Sequence, residues 1–387
     1  MKKLTLISLL FPSILFAQFD TIVVPTAEYI HEIKMDNGTF SGPGWDSVEQ
    51  YYLDHQLFGL GEIHGTLEVP SFFRQLLQSK KVDHYITELD SLSLSLLERD
   101  LSFSNLILQD YPGCYAMYAY KEERYLLTDL LENETKIHGI DEVHPISICL
   151  HLSELLKDKR IGEKSRKKLE NYVSFYNDAV FEGSIGNLNS RKTRDKVKKL
   201  LLKIKAKELE GKAPLVDFIV KNWNYYSMKK RSLKMKIASE QLFSQLDLSK
   251  NSNLVFKFGG SHISRVKNTA GYFDVGFAMD SATHGGQVRS YHLLTVIVEG
   301  DLALPATIGK ISTKPFDIRN DPFSAHLIPF GEVFNGEQCL FFDLKGFSKT
   351  LESKDSILSV TFAKMLASYD GLVLFRNGTP SPVVIKD

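Results

Sequence analysis

The sequence predicts an α/β fold: a mostly parallel mixed sheet flanked by helices, with a helical insertion lobe. Three observations carry this expectation. Short apolar runs alternate with helix-period segments over residues 56–141, and this β-α-β-α-β order implies parallel strands with right-handed crossovers. A basic, leucine-spaced stretch from about His151 to Lys212 then interrupts the alternation. Strand-like runs resume after it and continue almost to the C-terminus.

The 387 residues are 43% hydrophobic and 24% charged, with no net charge. Such a chain buries a large core. Its electrostatics point to neither nucleic acid nor an acidic membrane surface as partner. Lys2 and Lys3 precede an apolar run, Leu4 to Phe16, that is too short to span a bilayer comfortably. With Ala17 before Gln18, this reads as a signal peptide over 1–17, although Leu15 stands where a small residue is preferred. No cysteine marks the junction as a lipoprotein, and no second membrane-length apolar run follows. The expectation is a secreted or periplasmic protein with no integral membrane segment, folded as one domain over 18–387 with an insertion at about 150–250. Of Cys114, Cys149 and Cys339, two can form a disulfide and one thiol is left over; buried small hydrophobes are the plainer reading.

Residues 18–55 form a leading segment with turns at Asp36-Asn37-Gly38 and Ser41-Gly42-Pro43-Gly44. The first strand runs through Gln56 to Leu60 and ends at Glu62. Phe72, Phe73, Leu76 and Leu77 form one stripe of a helix over Glu68–Lys80. A second strand, His84–Thr87, ends at Glu88, and helical segments follow from about Ser91 to Asn133, with Tyr111 to Tyr125 read as helix packing. A third strand, Lys136–Ile140, ends at Asp141. The basic block reads as solvated amphipathic helices whose lysine stems cover apolar surface. A single helix over Pro214–Leu246 carries Arg231 and, one turn on, Met235. The fourth strand ends at Phe258, Ser290–Glu299 is a long β-branched strand, and Leu340–Phe342 and Gly371–Phe375 complete the sheet before an Asn377-Gly378 turn.

Chemistry gathers at the strand ends. Gly61-Glu62-Ile63-His64 and Gly259-Gly260-Ser261-His262 repeat one pattern, glycine then histidine three residues on. In parallel α/β sheets ligands bind outside the carboxyl ends of the strands. Adjacent parallel strands would therefore bring Glu62, His64, Glu88, Asp141 and His262 to one cavity. His64 is the candidate general base, with Glu88 or Glu62 holding its tautomer. His262 positions or protonates a leaving group. Arg231 is a candidate anion clamp. The plainer alternatives are a turn histidine, a helix-start histidine, structural acids, a helix-capping Asp141 and a surface arginine. Two histidines with Glu62 and Glu88 would also suit Zn, Mn or Fe, although no metal-binding spacing supports it. Ser261 lacks the closing glycine of a nucleophile elbow. His138, His144 and His284 are read as structural.

Leu60-Gly61-Glu62-Ile63-His64-Gly65-Thr66, Thr87-Glu88, Gly139-Ile140-Asp141, Arg231-x-x-x-Met235, Gly259-Gly260-Ser261-His262 and Asp370–Phe375 together resemble the erythromycin-esterase-like and ChaN-like superfamily, which includes the Tiki-type proteases. The resemblance implies a parallel-cored α/β fold with a helical lobe over the site. It implies a water activated by His64 with Glu62 and Glu88, opposite His262, cleaving an ester, lactone or amide in a small-molecule or peptide substrate. A divalent metal (Tiki-type peptidase) or haem (ChaN-like binding protein) enters only in the alternatives. Residues 18–55 and 301–356 match no motif of the antibiotic esterases.

Overall fold

The structure is a computed structural model and describes residues 26–36, 38–102, 112–181, 190–224, 227–246, 248, 252–268, 270–284, 288–303, 313–321, 324–352 and 360–382. The signal-peptide expectation falls outside these residues.

One ten-stranded sheet organises the chain, in the order β2 (Thr39–Ser41), β1 (Ile30–Asp36), β9 (Cys339–Asp343), β10 (Gly371–Gly378), β7 (Ser290–Ala303), β3 (Leu57–Glu62), β6 (Leu254–Gly259), β4 (His84–Thr87) and β5 (Lys136–Gly139), with β8 (Thr313–Asp317) on β7. The strands that deliver the candidate residues are β3 (Leu57–Glu62), β4 (His84–Thr87), β5 (Lys136–Gly139) and β6 (Leu254–Gly259). They are consecutive in the sheet and parallel, with Glu62 opposite Gly259, Thr87 opposite Lys257, and Thr87 opposite Gly139. The predicted convergence of four strand ends therefore occurs. β3 is buried along its whole length, so it reads as an unbroken apolar run rather than an alternating one. Phe58 and Leu60 on one face join the cluster of Trp45, Phe72 and Phe73, while Leu57 on the other packs with Phe256, Met235 and Met279.

The leading segment is more than a lead-in. β1 (Ile30–Asp36) and β2 (Thr39–Ser41) extend the sheet, and β1 pairs antiparallel with β9 (Cys339–Asp343). The expected turn at Ser41–Gly44 is instead the start of helix α1 (Pro43–Asp54). Gly42 adopts φ 94° and Pro43 takes a first-turn position, where its missing N–H costs nothing. Helix α2 (Glu68–Gln78) keeps its apolar stripe buried. α3 (Ser91–Ser102), a 3-10 segment (Pro112–Ala119) and α4 (Lys121–Glu132) fill the next predicted helical region, with Tyr120 extended at the N-cap of α4.

The insertion comprises α5 (Ile148–Leu156), α6 (Glu163–Phe181), α7 (Arg191–Lys207), α8 (Pro214–Asn222) and α9 (Met228–Gln245). The single helix expected over Pro214–Leu246 is two, because Trp223 leaves the helix in extended conformation and buries its ring. Beyond β6, helix α10 (Val275–Ala282) precedes β7 (Ser290–Ala303), and β8 (Thr313–Asp317) folds back antiparallel on β7. α11 (Ile328–Gly331), α12 (Leu344–Glu352) and α13 (Val360–Ser368) cover the far side. β10 (Gly371–Gly378) continues through the expected Asn377-Gly378 turn, which pairs with Glu299 and Gly300. Cys149 is disulfide-bonded, and Cys339 is free and buried. Among the described residues no helix is long and apolar enough to cross a membrane.

Candidate functional site

His64 lies two residues past the end of β3. Its Nδ1 is 2.8 Å from Glu62 Oε1 and its Nε2 is 3.6 Å from Glu88 Oε2. Gly65 turns the chain immediately afterwards at φ 91°, where a Cβ would fall 2.4 Å from the Ala303 carbonyl oxygen. A glycine is needed there for both conformation and space. Gly259 serves differently. Its backbone needs no unusual φ, but a Cβ would reach 3.1 Å from His64 Nε2 and 3.6 Å from both Glu88 Oε2 and the His262 ring. The two imidazoles thus border one small space that only a bare backbone leaves open.

Behind His64 lies a second layer. Arg231, from the first turn of α9, donates from Nε to Asp141 (3.0 Å), from Nη2 to Asp141 (2.6 Å) and Glu88, and from Nη1 to His262 Nε2 (3.2 Å). A guanidinium only donates. His262 Nε2 is therefore the acceptor, and its proton sits on Nδ1, 2.6 Å from Asp274 Oδ2. Glu88 Oε2 also accepts the Gly259 N–H at 2.8 Å. The structure brings Glu62, His64, Glu88, Asp141, Arg231 and His262 together.

Two sequence readings change on contact with this geometry. Arg231 is 7% exposed, neither a surface arginine nor a free clamp, since its fork is taken up by Glu88, Asp141 and His262. His262 presents an unprotonated nitrogen to Arg231, so in this state it cannot supply a leaving-group proton from Nε2.

The charges follow from burial and neighbours. Burial alone would push the Glu88 carboxyl up, but Arg231 above all, with His64, outweighs it and holds it well below its usual range. Burial likewise opposes charge on His64, and the hydrogen bond to Glu62 with the nearby Glu88 carboxylate overcomes it, raising the imidazole to about 10. His64 rests as an imidazolium at neutral pH. Its side chain is 35% exposed, whereas those of Glu62, Glu88 and Asp141 are below 10%. His64 is the face that the cluster shows to solvent. Because its folded pKa lies above the ordinary 6.5, it stabilises the fold fully below pH 6.5, and that contribution is lost as pH rises through about 10. Denaturant midpoints measured across this window fall in the wild type and fall less in Glu62→Gln, which lacks the charge that holds the proton.

Sequence reading missed the support beneath Glu62. Lys257, inside β6 and fully buried, donates to Glu62 Oε1 at 2.6 Å and to Glu123 of α4 at 2.7 and 2.9 Å. Glu62 is held below its usual range, against burial, by Lys257 and His64; burial raises Glu123 to about 7 despite Lys257. The signal was present: a lysine in the apolar run Leu254–Phe258 must find a buried partner. Asp274 gave no comparable sign. His144, read as structural, is lowered to about 4 by burial and Arg231, and so stands neutral within electrostatic reach of Glu88 and Asp141.

As a metal centre the residues fit poorly. Among the described residues no group of three or more His, Cys, Asp or Glu is arranged to hold an ion. Arg231 sits among the expected donors, hydrogen-bonded to both Glu88 and His262.

Compared with solved structures, the chain overlays a mutant of erythromycin esterase EreC in its open conformation with a TM-score of 0.56, covering 92% of this chain and all of that one at 10% identity. The chain has the erythromycin-esterase-like fold. A succinoglycan biosynthesis protein overlays it with a TM-score of 0.53 at 13% identity, covering 92% of this chain and 96% of that one. A Bacillus cereus protein does so with a TM-score of 0.50 at 18% identity, covering 92% and 97%. ChaN of Campylobacter jejuni, solved with cofacial haem, aligns at a TM-score of 0.34 and carries no argument about this chain. No protein-family model and no curated protein matches the sequence. At such identities the likeness establishes architecture, and chemistry has to be argued from the site.

Proposed function

We propose that this protein is an exported hydrolase of an ester, lactone or amide bond, with His64 as the proton-transfer group. The observation that carries the reading is the placement of His64. A partly exposed imidazole, hydrogen-bonded to a buried glutamate and 3.6 Å from a second, closes the mouth of a charged cluster at four parallel strand ends. The overlay on an erythromycin esterase agrees with it as analogy.

Neutral His64 keeps its Nδ1 proton on Glu62 and takes one proton from water at Nε2. The water oxygen attacks the carbonyl carbon, and the resulting tetrahedral oxyanion collapses. The leaving oxygen or nitrogen departs with the proton returned by Nε2. Glu88, fixed by Arg231 and the Gly259 N–H, orients the water in the gap beside Nε2. Arg231, anchored on Asp141, holds Glu88 rather than the substrate. This scheme uses the minority form of His64, about a thousandth of the protein at neutral pH for a group that titrates near 10. It therefore predicts that kcat/KM climbs with pH toward a limb near 10, and that Glu62→Gln moves the limb down toward 6.5. A profile already flat above pH 7, or a limb unmoved by Glu62→Gln, would rule His64 out as the base.

Export rests on the N-terminal pattern of Lys2, Lys3 and the apolar Leu4–Phe16, and on the disulfide at Cys149, since such bonds persist in oxidising compartments. Intact-mass measurement of the protein recovered from its native host is expected to give a chain beginning at Gln18. A chain retaining Met1 would contradict cleavage.

A further inference from the structure

The basic block has a feature that neither solvation nor the hydrolase reading uses. Arg191, Arg194 and Lys198 lie at successive spacings of three and four on α7, so they form one stripe. That stripe faces a cavity of about 600 Å³ whose other walls include Asp195, Asn224 and Lys230. We propose that this cavity binds a small polyanion, a ligand carrying two or more phosphate, sulfate or carboxylate groups.

Charge and room both favour a polyanion. Four cations line the space and Asp195 is the one acid among those lining residues. That single carboxylate is shared by Arg194 at 3.1 Å and Arg191 at 3.8 Å. Glu142, which accepts from the lining Asn224 at 3.3 Å, is engaged by Lys234 at 2.8 Å. Arg194 is 11% exposed, so it forms the floor, whereas Arg191 is 81% exposed at the rim. Burial first, then Arg194 and Lys234, lower the proton affinity of Lys198 against the opposing pull of Asp195 and Glu142. Two helix starts add to the positive charge. The first turns of α7 and α9 contain no acid and place Arg191, Arg194 and Lys230 at the positive ends of their own helices. An anion in the cavity relieves all of these repulsions together. The volume lies in the range of small-molecule sites and exceeds what one inorganic anion fills, which points to several charged groups on one ligand. Lys230 precedes Arg231 and Glu142 follows Asp141, so the cavity adjoins the strand-end cluster through the chain itself.

Titration calorimetry of the full chain with pyrophosphate and, separately, citrate at low ionic strength tests this. One saturable site is expected, weakening as salt rises. The double variant Arg191→Gln/Lys230→Gln, confined to exposed rim residues, is expected to weaken binding about tenfold or more, as for loss of charge-assisted hydrogen bonds. The control Lys164→Gln/Lys168→Gln, on α6, leaves it unchanged. Tighter pyrophosphate assigns phosphoryl chemistry and tighter citrate assigns carboxylates; either outcome supports the site. No saturable heat with either probe, or equal affinity in both double variants, overturns it. These readouts do not involve turnover, so they stand or fall apart from the hydrolase proposal.

Discussion

Replacing His64 with alanine is expected to lower ester or lactone turnover by about 10²- to 10⁴-fold, the usual worth of a positioned proton-transfer group. The fold should survive. The His64 side chain is 35% exposed, and its removal frees Glu62 to its other partner, Lys257, at 2.6 Å. A wild-type circular dichroism spectrum and a cooperative melt at a lowered temperature, since the charged His64 no longer contributes, alongside lost hydrolysis of a chromogenic ester or a macrolactone, are the outcome that fits. Wild-type turnover in a folded His64→Ala protein would end the mechanism, because the other imidazole bordering the same space, His262, is 5% exposed and locked between Arg231 and Asp274. A second arm separates acid from base. If His64 worked as the imidazolium, activity would decline through pH 10 rather than climb toward it.

Arg231→Met is expected to cost about 3–5 kcal/mol of folding stability, the range for breaking a buried ion pair by removing one partner. The reason is the company that Arg231 keeps. Glu88 and Asp141 are 8% and 4% exposed, and both lean on the same guanidinium. Without it two carboxylates face each other in a space that excludes most water. Urea midpoints measure the loss. Adding Asp141→Asn to Arg231→Met removes one stranded charge and should recover part of it. A loss below about 1 kcal/mol, typical of exposed ion pairs, would mean that the cluster is wetter than the structure shows. Activity is expected to fall as well in Arg231→Met, since Glu88 then keeps the Gly259 N–H and the His64 charge but loses the guanidinium that fixes its direction.

Much of this arrangement was legible in the chain. Parallel strands buried on both faces announce themselves as apolar runs, and β3, β4, β5 and β6 lie where those runs predicted. Residues at the carboxyl end of such a strand are fixed by the backbone, so Glu62, His64, Glu88, Asp141 and His262 could be assigned to one edge by counting. The antiparallel side was harder. β1 and β2 were hidden in a leading segment because their burial is broken and their strands short or edge-like, a pattern close to that of a loop. The break between α8 and α9 was also missed, since neither proline nor glycine marks it; the packing of Trp223 does.

The sequence by itself determined which strand-end groups share one edge, because parallel strands leave little freedom about where the side chains at their carboxyl ends go. Only the tertiary structure decided what those groups are. Lys257 binding Glu62 turns the glutamate into a fixed anion, Asp274 sets the tautomer of His262, and Arg231 is spent on Glu88 and Asp141 rather than left for a ligand. Proton affinity depends on distance to charges and on exclusion of water, and both are set by residues brought close by folding, here as far apart in the chain as Glu62 and Lys257.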